Sequence, residues 1–388
     1  MADNVAVCSA ESSARTSALG GERELTEDVA ARFQTLHEII AAARLNLNQN
    51  LWDYVIGGTA TETTVKRNRR ALDRIGFKPR VLEDVSRIDA SAEFLGHRIR
   101  LPVTLAPVGG LEQLGTGGGL TVAQGAGEAG VPFFLSSVSE SGLERTAAMA
   151  SGCKVFQLYV RGDDRYVDDH VRRAIDAGYD AFCITVDSAL YSRRERDIAN
   201  RFAKPWRARS SGMEFQAGLS WAHIERFKRM HSGIGLILKG IAAPEDAVRA
   251  VSMGVEGIYV SNHGGRQLDH GAGSTEVLPE VVEAVGGKAI VIVDGGISRG
   301  SDVVKAIALG ADLVGIGRLY VYGLAAAGSK GIVRVIELLE EEVAECLGLL
   351  GLRGFAGLNR AHLRAVEAVT EPHVHSAFPH LTLPTVTY

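Results

Sequence analysis

The chain has 388 residues, of which 46% are hydrophobic and 23% charged, a balance that is typical of folded globular proteins and excludes general disorder. Its 42 basic and 46 acidic residues give a formal net charge of −4 without a sustained basic stripe, so we expect no nucleic-acid partner. The four cysteines lack paired spacing and no run approaches about 18 apolar residues, which predicts no metal site, no membrane-spanning helix and a cytoplasmic location.

The two ends of the chain differ in pattern from its middle. Residues 1–28 are rich in serine, alanine and glycine and predict a flexible N-terminal extension. Residues 371–388 are interpreted as a C-terminal tail, so residues 29–370 are predicted to form one domain. The first part of that domain has apolar residues at helical spacing, which predicts a helical lead-in: Val29, Phe33, Leu36, Ile39, Ile40 and Leu45.

Short apolar runs rich in β-forming residues then recur along the chain. The eight runs are 102–107, 131–137, 154–160, 181–187, 235–240, 257–263, 289–296 and 313–318. Amphipathic stretches follow them, as at 142–151, 243–254 and 301–310, and the last two end in glycine as helix C-termini often do. Eight strands alternating with helices predict an α/β fold, the TIM (β/α)8 barrel. A doubly wound open sheet is the alternative, but its glycine-rich turn after the first strand is missing.

Polar and glycine residues cluster where these strands end, which is the catalytic face of a barrel. They are Pro107 to Gly109, Ser136, Ser137, Gln157, Tyr159, Thr185, Asp187, Lys239, Ser261 to Arg266, Asp294 to Gly296, Gly317 and Arg318. His263 has the side chain of a general base, and Arg266 that of a carboxylate-binding group. Asp187 could orient and stabilise a protonated histidine, whereas Arg194 could equally be a surface arginine in a charged helix start.

Two further features concern an anionic ligand. The glycine-rich turns 294–300 and 315–318 follow the last two strands, where barrels often bind phosphate, and Arg318 adds positive charge there. Lys239 ends the fifth strand and could form a Schiff base or stabilise an anionic cofactor. Together these residues favour redox chemistry on a hydroxy acid with a phosphate-bearing cofactor.

The run S-N-H-G-G-R-Q at 261–267 resembles the signature of the FMN-dependent α-hydroxy acid oxidases and dehydrogenases. The resemblance extends from Trp52 to Gly354 and includes the segments KPRVL (78–82), FQLYV (156–160) and RRERDIANRF (193–202). It implies FMN as the cofactor and oxidation of a small-molecule 2-hydroxy acid to the 2-oxo acid, with transfer of the C2 hydrogen to flavin N5.

The resemblance also implies a role for each matching residue. His263 is the implied base, Asp187 stabilises its protonated form, and Tyr159 contacts the substrate hydroxyl. The substrate-binding set is Tyr54, Tyr159, Arg194, His263 and Arg266, while Lys239 sits at the flavin edge and stabilises the reduced ring. The implied FMN-binding residues are Pro107, Val108, Gly109, Ser136, Gln157, Thr185, Lys239, Ser261, Asp294, Gly295, Gly296, Ser298, Gly317 and Arg318.

Several positions depart from the family pattern. Val108 lacks the usual hydroxyl, Ser298 stands where an arginine commonly contacts the phosphate, and GTGGG (115–119) replaces H-P-E-G-E, so we expect a charged network to be absent there. Val138 replaces an aromatic residue and Tyr191 an aliphatic one, which predicts a remodelled pocket for a larger or aromatic, mandelate-type acid. The segment 203–218, over the predicted active site, contains no membrane anchor.

Other functions stay open at this point. A lactate- or glycolate-type oxidase is the first alternative, and an FMN barrel isomerase or a non-catalytic flavin-binding barrel is the second. Gly109 resembles the dehydrogenase type more than the oxidase type, so the electron acceptor could be oxygen or a quinone or carrier. A homo-oligomer, a tetramer by resemblance, is expected.

Overall fold

The computed structural model describes residues 29–205 and 211–385. The predicted flexible extension (1–28) and the last three residues of the predicted tail lie outside the described residues. Eight parallel strands close into a barrel in chain order, and the last of them, Leu313–Ile316, pairs back to the first, Val103–Leu105. This confirms the predicted TIM barrel, and each predicted apolar run coincides with a barrel strand.

The strands are short, as is usual for a barrel of this kind. Two antiparallel pairs of strands lie outside the barrel, Ile75–Phe77 with Leu363–Ala365 and Ala92–Phe94 with His97–Ile99. The sequence did not predict these pairs. The strands are β1 (Ile75–Phe77), β2 (Ala92–Phe94), β3 (His97–Ile99), β4 (Val103–Leu105), β5 (Phe133–Ser136), β6 (Lys154–Leu158), β7 (Ala181–Thr185), β8 (Gly235–Ile241), β9 (Gly257–Val260), β10 (Ile290–Asp294), β11 (Leu313–Ile316) and β12 (Leu363–Ala365).

Helices surround the barrel and supply the predicted lead-in. From Leu36 onward, the helices that lie wholly within the described residues are α1 (Leu36–Asn46), α2 (Gln49–Ile56), α3 (Thr63–Asp73), α4 (Leu111–Leu114), α5 (Gly119–Ala129), α6 (Leu143–Met149), α7 (Asp164–Asp176), α8 (Glu195–Ala199), α9 (Met213–Ala217), α10 (Trp221–Met230), α11 (Pro244–Ser252), α12 (Ser274–Val285), α13 (Gly300–Ala308) and α14 (Arg318–Leu349). Gly254 and Gly310 follow α11 and α13 with φ of +76° and +108°, as the prediction of glycine-terminated helices requires.

Apolar packing occurs in two layers. One cluster fills the barrel interior with side chains such as Tyr259, Ile292 and Leu313, and Phe94 and Ile99 of the β2–β3 hairpin join it, so the hairpin closes the N-terminal end of the barrel. A larger cluster lies between the strands and the helices. With both faces of the strands covered, only the C-terminal ends of the strands remain open for a ligand.

The long helix α14 covers one side of the barrel. Its backbone leaves helical geometry at Ala327 and Gly328, which divides it into two helical parts. By length and composition α14 is apolar enough to cross a membrane, but 67% of the apolar window is buried inside the protein, where it packs against α1 and α5. A core helix passes the same test, so this feature gives no support to a membrane span.

Candidate active site

A cavity of about 1670 Å³, including its open mouth, lies at the C-terminal ends of the barrel strands. Most predicted site residues line it: Tyr54, Pro107, Val108, Gly109, Tyr159, Arg194, Lys239, His263, Arg266, Asp294, Gly295, Gly296, Ser298, Gly317 and Arg318. The others are not part of its lining but lie at or just after the C-terminal ends of the same strands: Ser136, Gln157, Thr185 and Ser261, which are buried, and the partly buried Asp187. The fold therefore brings together groups that are far apart in the sequence.

His263 lies on the sharp turn after β9. Its own φ is +60°, and those of Gly264 and Gly265 are +63° and +79°, so three successive residues are left-handed. A non-glycine residue in this region costs on the order of 1–2 kcal/mol, and such strain is often found at functional sites. The turn orients the imidazole between two partners, with Nδ1 3.1 Å from Asp187 Oδ1 and Nε2 3.1 Å from the Tyr159 hydroxyl.

The environment of this pair suits a neutral base with an ionised partner. Burial lowers the pKa of His263 from 6.5, although the Asp187 carboxylate opposes the shift. Burial favours the neutral form of Asp187, but His263 and Lys239 hold the pKa of that carboxyl below its ordinary value. The histidine can therefore accept a proton near neutral pH, and the carboxylate stabilises the imidazolium that forms.

Arg266 and Arg194 place positive charge beside this base. The Arg266 guanidinium donates to the backbone carbonyl of Tyr54 (3.1 Å), and burial together with Arg318 and Arg194 lowers its pKa to about 9. The guanidinium carbon of Arg194 lies 6.0 Å from the Tyr54 ring, and its buried Nε has no hydrogen-bond partner among the described residues. Buried cations that repel one another create a site for an anion such as a substrate carboxylate.

A polar network occupies the floor of the cavity. Lys239 Nζ donates to Ser261 Oγ (2.8 Å), and Ser261 Oγ donates to Asp294 Oδ1 (2.6 Å). The Gln157 amide donates to Thr185 Oγ1 (2.8 Å), while its buried Oε1 has no hydrogen-bond partner among the described residues. This network fixes Lys239 near the cavity and leaves an acceptor, Gln157 Oε1, available to a bound N–H group.

The opposite end of the cavity is formed by the two glycine-rich turns. Gly317 immediately precedes α14, and an added Cβ at Gly317 would meet nothing within 4 Å, so open space adjoins this helix N-terminus. Arg318 lines the same end, but its guanidinium donates to the carbonyls of Val55, Gly57 and Gly264 at 2.9–3.1 Å. A helix N-terminus beside open space is suited to a phosphate group.

One prediction from the sequence departures is wrong. A carboxylate is present beside residues 115–119, because Glu112 Oε1 accepts from Ser139 Oγ (2.6 Å) and from the backbone N–H of Ser141 (3.1 Å). An added Cβ at Gly118 would lie 2.7 Å from the Glu112 carboxyl carbon. The glycines thus make room for a carboxylate that α4 supplies, a compensation that motif comparison within 115–119 could not reveal.

Other residues of the site were missed by sequence reasoning. Gln216, from α9, donates to the Thr185 carbonyl (2.9 Å) and accepts from the Val160 N–H (2.7 Å), so it ties the segment above the cavity to two strand ends. Buried Lys204 pairs with Asp197 and donates to the Tyr191 hydroxyl (2.7 Å). Single polar residues in irregular segments carry no periodic signal, which is why the sequence did not single them out.

The donor set fits FMN. Gln157 and Lys239 can bind the polar edge of a flavin ring, and the helix N-terminus at Gly317 can bind its phosphate. A base–carboxylate pair and buried arginines complete the site. The fold and the site together define a (β/α)8-barrel oxidoreductase that binds an anionic substrate beside an oriented histidine.

Comparison with known proteins agrees with this class. The sequence profile of the FMN-dependent dehydrogenase family matches residues 43–214 and 207–365. The chain is 40% identical to 4-hydroxymandelate oxidase of Amycolatopsis orientalis (86% of this chain, 98% of the relative) and 39% identical to glycolate oxidase 1 of Oryza sativa subsp. indica (84% and 94%). A crystal structure of mandelate oxidase with (S)-2-phenylpropionate superposes with a TM-score of 0.80 at 41% identity (87% and 99%).

The chain belongs to the FMN-dependent dehydrogenase family and is an oxidoreductase that acts on the CH–OH group of 2-hydroxy acids. The relatives are hydroxy acid oxidases, which gives no support to the alternatives of an isomerase or a non-catalytic barrel. FMN, when bound, supplies the acceptor for the C2 hydrogen and its electrons. The protein supplies the base, the carboxylate-binding cations and the orientation of the substrate.

Proposed function

We propose that the protein oxidises a 2-hydroxy acid with a large or aromatic substituent, of the mandelate type. In this proposal Arg266 and Arg194 bind the substrate carboxylate, and the Tyr159 hydroxyl contacts the substrate hydroxyl. His263 Nε2 accepts a substrate proton while Asp187 holds the opposite ring nitrogen. Tyr54, whose hydroxyl donates to the Gly109 carbonyl (2.9 Å), stands beside the same arginines.

The observation that carries the substrate class is the composition of the cavity wall. Val108, Val138, Leu190 and Met213 contribute apolar surface to the cavity that also holds the arginines, and Tyr191 contributes an aromatic ring. Apolar and aromatic walls favour an apolar substituent next to the bound carboxylate, because its burial adds roughly 25 cal/mol per Å². Glycolate has no such substituent, so the wall would give it little binding energy.

The test is a substrate panel. Purified holoenzyme is mixed anaerobically with mandelate, 4-hydroxymandelate, phenyllactate, lactate and glycolate, and flavin absorbance is followed. We expect the aromatic acids to reduce the flavin with the highest kcat/KM. Preferential reduction by lactate or glycolate would instead support the first alternative, which the 39% identity to a glycolate oxidase motivates.

We further propose oxygen as the electron acceptor, because the similar proteins named above are oxidases. Gly109, which lines the cavity, is the sequence feature that favours a quinone or carrier instead. Readmitting oxygen to the reduced enzyme separates the two acceptors: rapid reoxidation with stoichiometric peroxide supports oxygen. Slow reoxidation by oxygen with rapid reoxidation by a quinone analogue would support the other acceptor.

A cytoplasmic homotetramer is the final part of the proposal and rests on the resemblance and the composition. Light scattering coupled to size-exclusion chromatography measures the oligomeric state directly. A mass close to that of one 41.3 kDa chain would contradict the tetramer. Fractionation of the producing cells tests the location.

A further inference from the structure

The C-terminal segment 371–385 packs against the barrel domain. Its His375 is buried, stacks on Trp52 with ring centroids 5.6 Å apart, and shares a hydrogen bond with the Tyr322 hydroxyl (3.0 Å). Phe378 is buried as well, and the carbonyl before it, that of Ala377, accepts from Arg299 Nη1 (3.4 Å). These contacts hold the segment at a defined place, whereas the sequence interpretation set it apart as a tail.

Contacts of Ala377 and Phe378 with Arg299, the residue after Ser298, place the segment near the phosphate end of the cavity. His373, Val374 and Phe378 line the same cavity as Ser298 and Gly317. The segment therefore contributes to the wall of the space in which the cofactor phosphate would lie beside the N-terminus of α14. Nothing in the family signature motifs includes these residues.

The arginines at this end are already engaged. Arg69 makes a bidentate pair with Asp302 (2.7 and 2.8 Å), and Arg299 pairs with Glu342 (2.6 Å). Arg318 donates to three backbone carbonyls. Of these three guanidinium groups only Arg318 Nη1 makes no hydrogen bond to the described residues. Since Ser298 stands where the family commonly has arginine, a phosphate dianion here lacks a second arginine donor.

His373 has a ring N–H group that could donate to a phosphate. Its Nδ1 accepts the backbone N–H of His375 (3.2 Å), so the ring proton of the neutral imidazole is on Nε2. A hydrogen bond between the Ser376 hydroxyl and the His373 carbonyl (2.9 Å) holds the same turn. The imidazole thus presents an N–H group at the rim of the cavity from a fixed backbone.

We propose that His373 is an FMN-binding residue, whose Nε2–H donates to the cofactor phosphate and replaces the arginine that Ser298 lacks. The C-terminal segment is then part of the cofactor site. This inference rests on the FMN dependence of the family and is independent of which hydroxy acid is oxidised. A contact to the phosphate would stabilise bound FMN but not bound riboflavin, whereas a segment that only covers the flavin ring would stabilise both.

The experiment measures dissociation constants of FMN and of riboflavin, which lacks the phosphate, by quenching of flavin fluorescence on full-length apoprotein. We expect His373→Ala to weaken FMN binding roughly tenfold, as the loss of a charge-assisted hydrogen bond would, and to leave riboflavin binding unchanged. His373→Gln keeps an N–H donor and should lose less. The matched control is His380→Ala, an exposed histidine of the same segment.

A rescue variant makes the role specific. Adding Ser298→Arg to His373→Ala should restore FMN affinity, because a guanidinium returns beside the phosphate. Unchanged FMN affinity in His373→Ala would overturn the proposal. Equal weakening of FMN and riboflavin would also overturn it, since that result means that the segment only covers the site. The readout is flavin affinity, which does not depend on the substrate, so a negative result would contradict the role of His373 and would leave the proposed substrate class unaffected.

Discussion

His263 Nδ1 lies 3.1 Å from Asp187 Oδ1, and this contact determines which ring nitrogen faces the substrate. The carboxylate holds Nδ1, so Nε2 is directed to the Tyr159 hydroxyl and into the cavity. Asp187 is held in turn, because it lies two residues after the end of β7 and its carboxylate accepts from the Ser188 hydroxyl (3.0 Å). The neighbouring strand approaches it closely, since an added Cβ at Gly240 would lie 2.6 Å from the Cβ of Asp187. The base is therefore oriented by the barrel itself.

Substitution of the base tests this arrangement. We expect His263→Gln to keep its flavin and to lose at least about 100-fold in the rate of anaerobic flavin reduction, because no group of suitable pKa replaces the imidazole. Stopped-flow absorbance measures the rate. His270→Gln, a change of the exposed histidine in the same loop, is the control and should reduce normally. Retention of the rate in His263→Gln would show that another group is the base.

The pH profile of flavin reduction follows from the pKa of the same histidine. Only neutral His263 accepts a proton, so the rate should fall as the pH drops through its pKa, which burial places below 6.5. In Asp187→Asn the carboxylate that raises this pKa is gone, so the midpoint should move to still lower pH while the plateau rate decreases. Rates measured from about pH 5 to about pH 8 check both statements. A midpoint above 6.5 in the unmodified enzyme would contradict the burial argument.

Val138 offers a test of substrate size. Val138→Phe adds volume to the cavity wall, so we expect kcat/KM for mandelate to fall by roughly tenfold relative to kcat/KM for glycolate. Steady-state kinetics with the two acids give this ratio, in which any general loss of activity cancels. An equal loss for both substrates would mean that residue 138 does not contact the substituent.

These results separate what the sequence could predict from what it could not. Apolar runs of β-forming residues predicted all eight barrel strands, and the strand ends predicted where His263, Arg266 and Lys239 meet. These signals are local or periodic. Glu112 and His375 contact segments that are remote in the sequence, and no local pattern marks such contacts.

The buried pair between Arg69 and Asp302 should be important for stability. The two side chains are 5% and 1% exposed, and Asp302 also accepts the backbone N–H of Ser298 (3.0 Å). We expect Asp302→Ala to lower the free energy of unfolding by about 2–4 kcal/mol. It removes one of the two carboxylates that pair with the buried Arg69, so that only Asp73 remains, and it takes the acceptor away from the backbone N–H groups of Ser298 and Arg299. Asp89→Ala removes an exposed pair with Arg98, which solvent screens, so the free energy of unfolding should change far less than in Asp302→Ala. Denaturant unfolding of both variants checks the contrast.

His375 should make the stability of the C-terminal segment depend on pH. Burial, then His373 and Arg318, lower its pKa to about 4 from the ordinary 6.5, so the unfolded chain binds a proton at a higher pH than the native protein does. The contribution of neutral His375 to the free energy of unfolding is therefore fully present above pH 6.5. It is lost as the pH falls from 6.5 to about 4, and the loss amounts to at most about 3 kcal/mol. His375→Gln lacks this titration, so its unfolding free energy should decline less over that interval.

Other histidines with a lowered pKa, His37 and His263, also make the free energy of unfolding depend on pH. The measurement is therefore the free energy of unfolding of the unmodified protein and of His375→Gln at about pH 7.5 and about pH 4.5, and the two changes with pH are compared. His380→Gln, with its exposed ring, should behave like the unmodified protein. Proteolysis of the C-terminal segment at both pH values shows whether the loss of stability lies in this segment. A protonated His375 can no longer accept a hydrogen bond from the Tyr322 hydroxyl, so the segment should be cleaved faster at pH 4.5. Identical pH dependence in His375→Gln and the unmodified protein would mean that the imidazole does not stay neutral in the folded state.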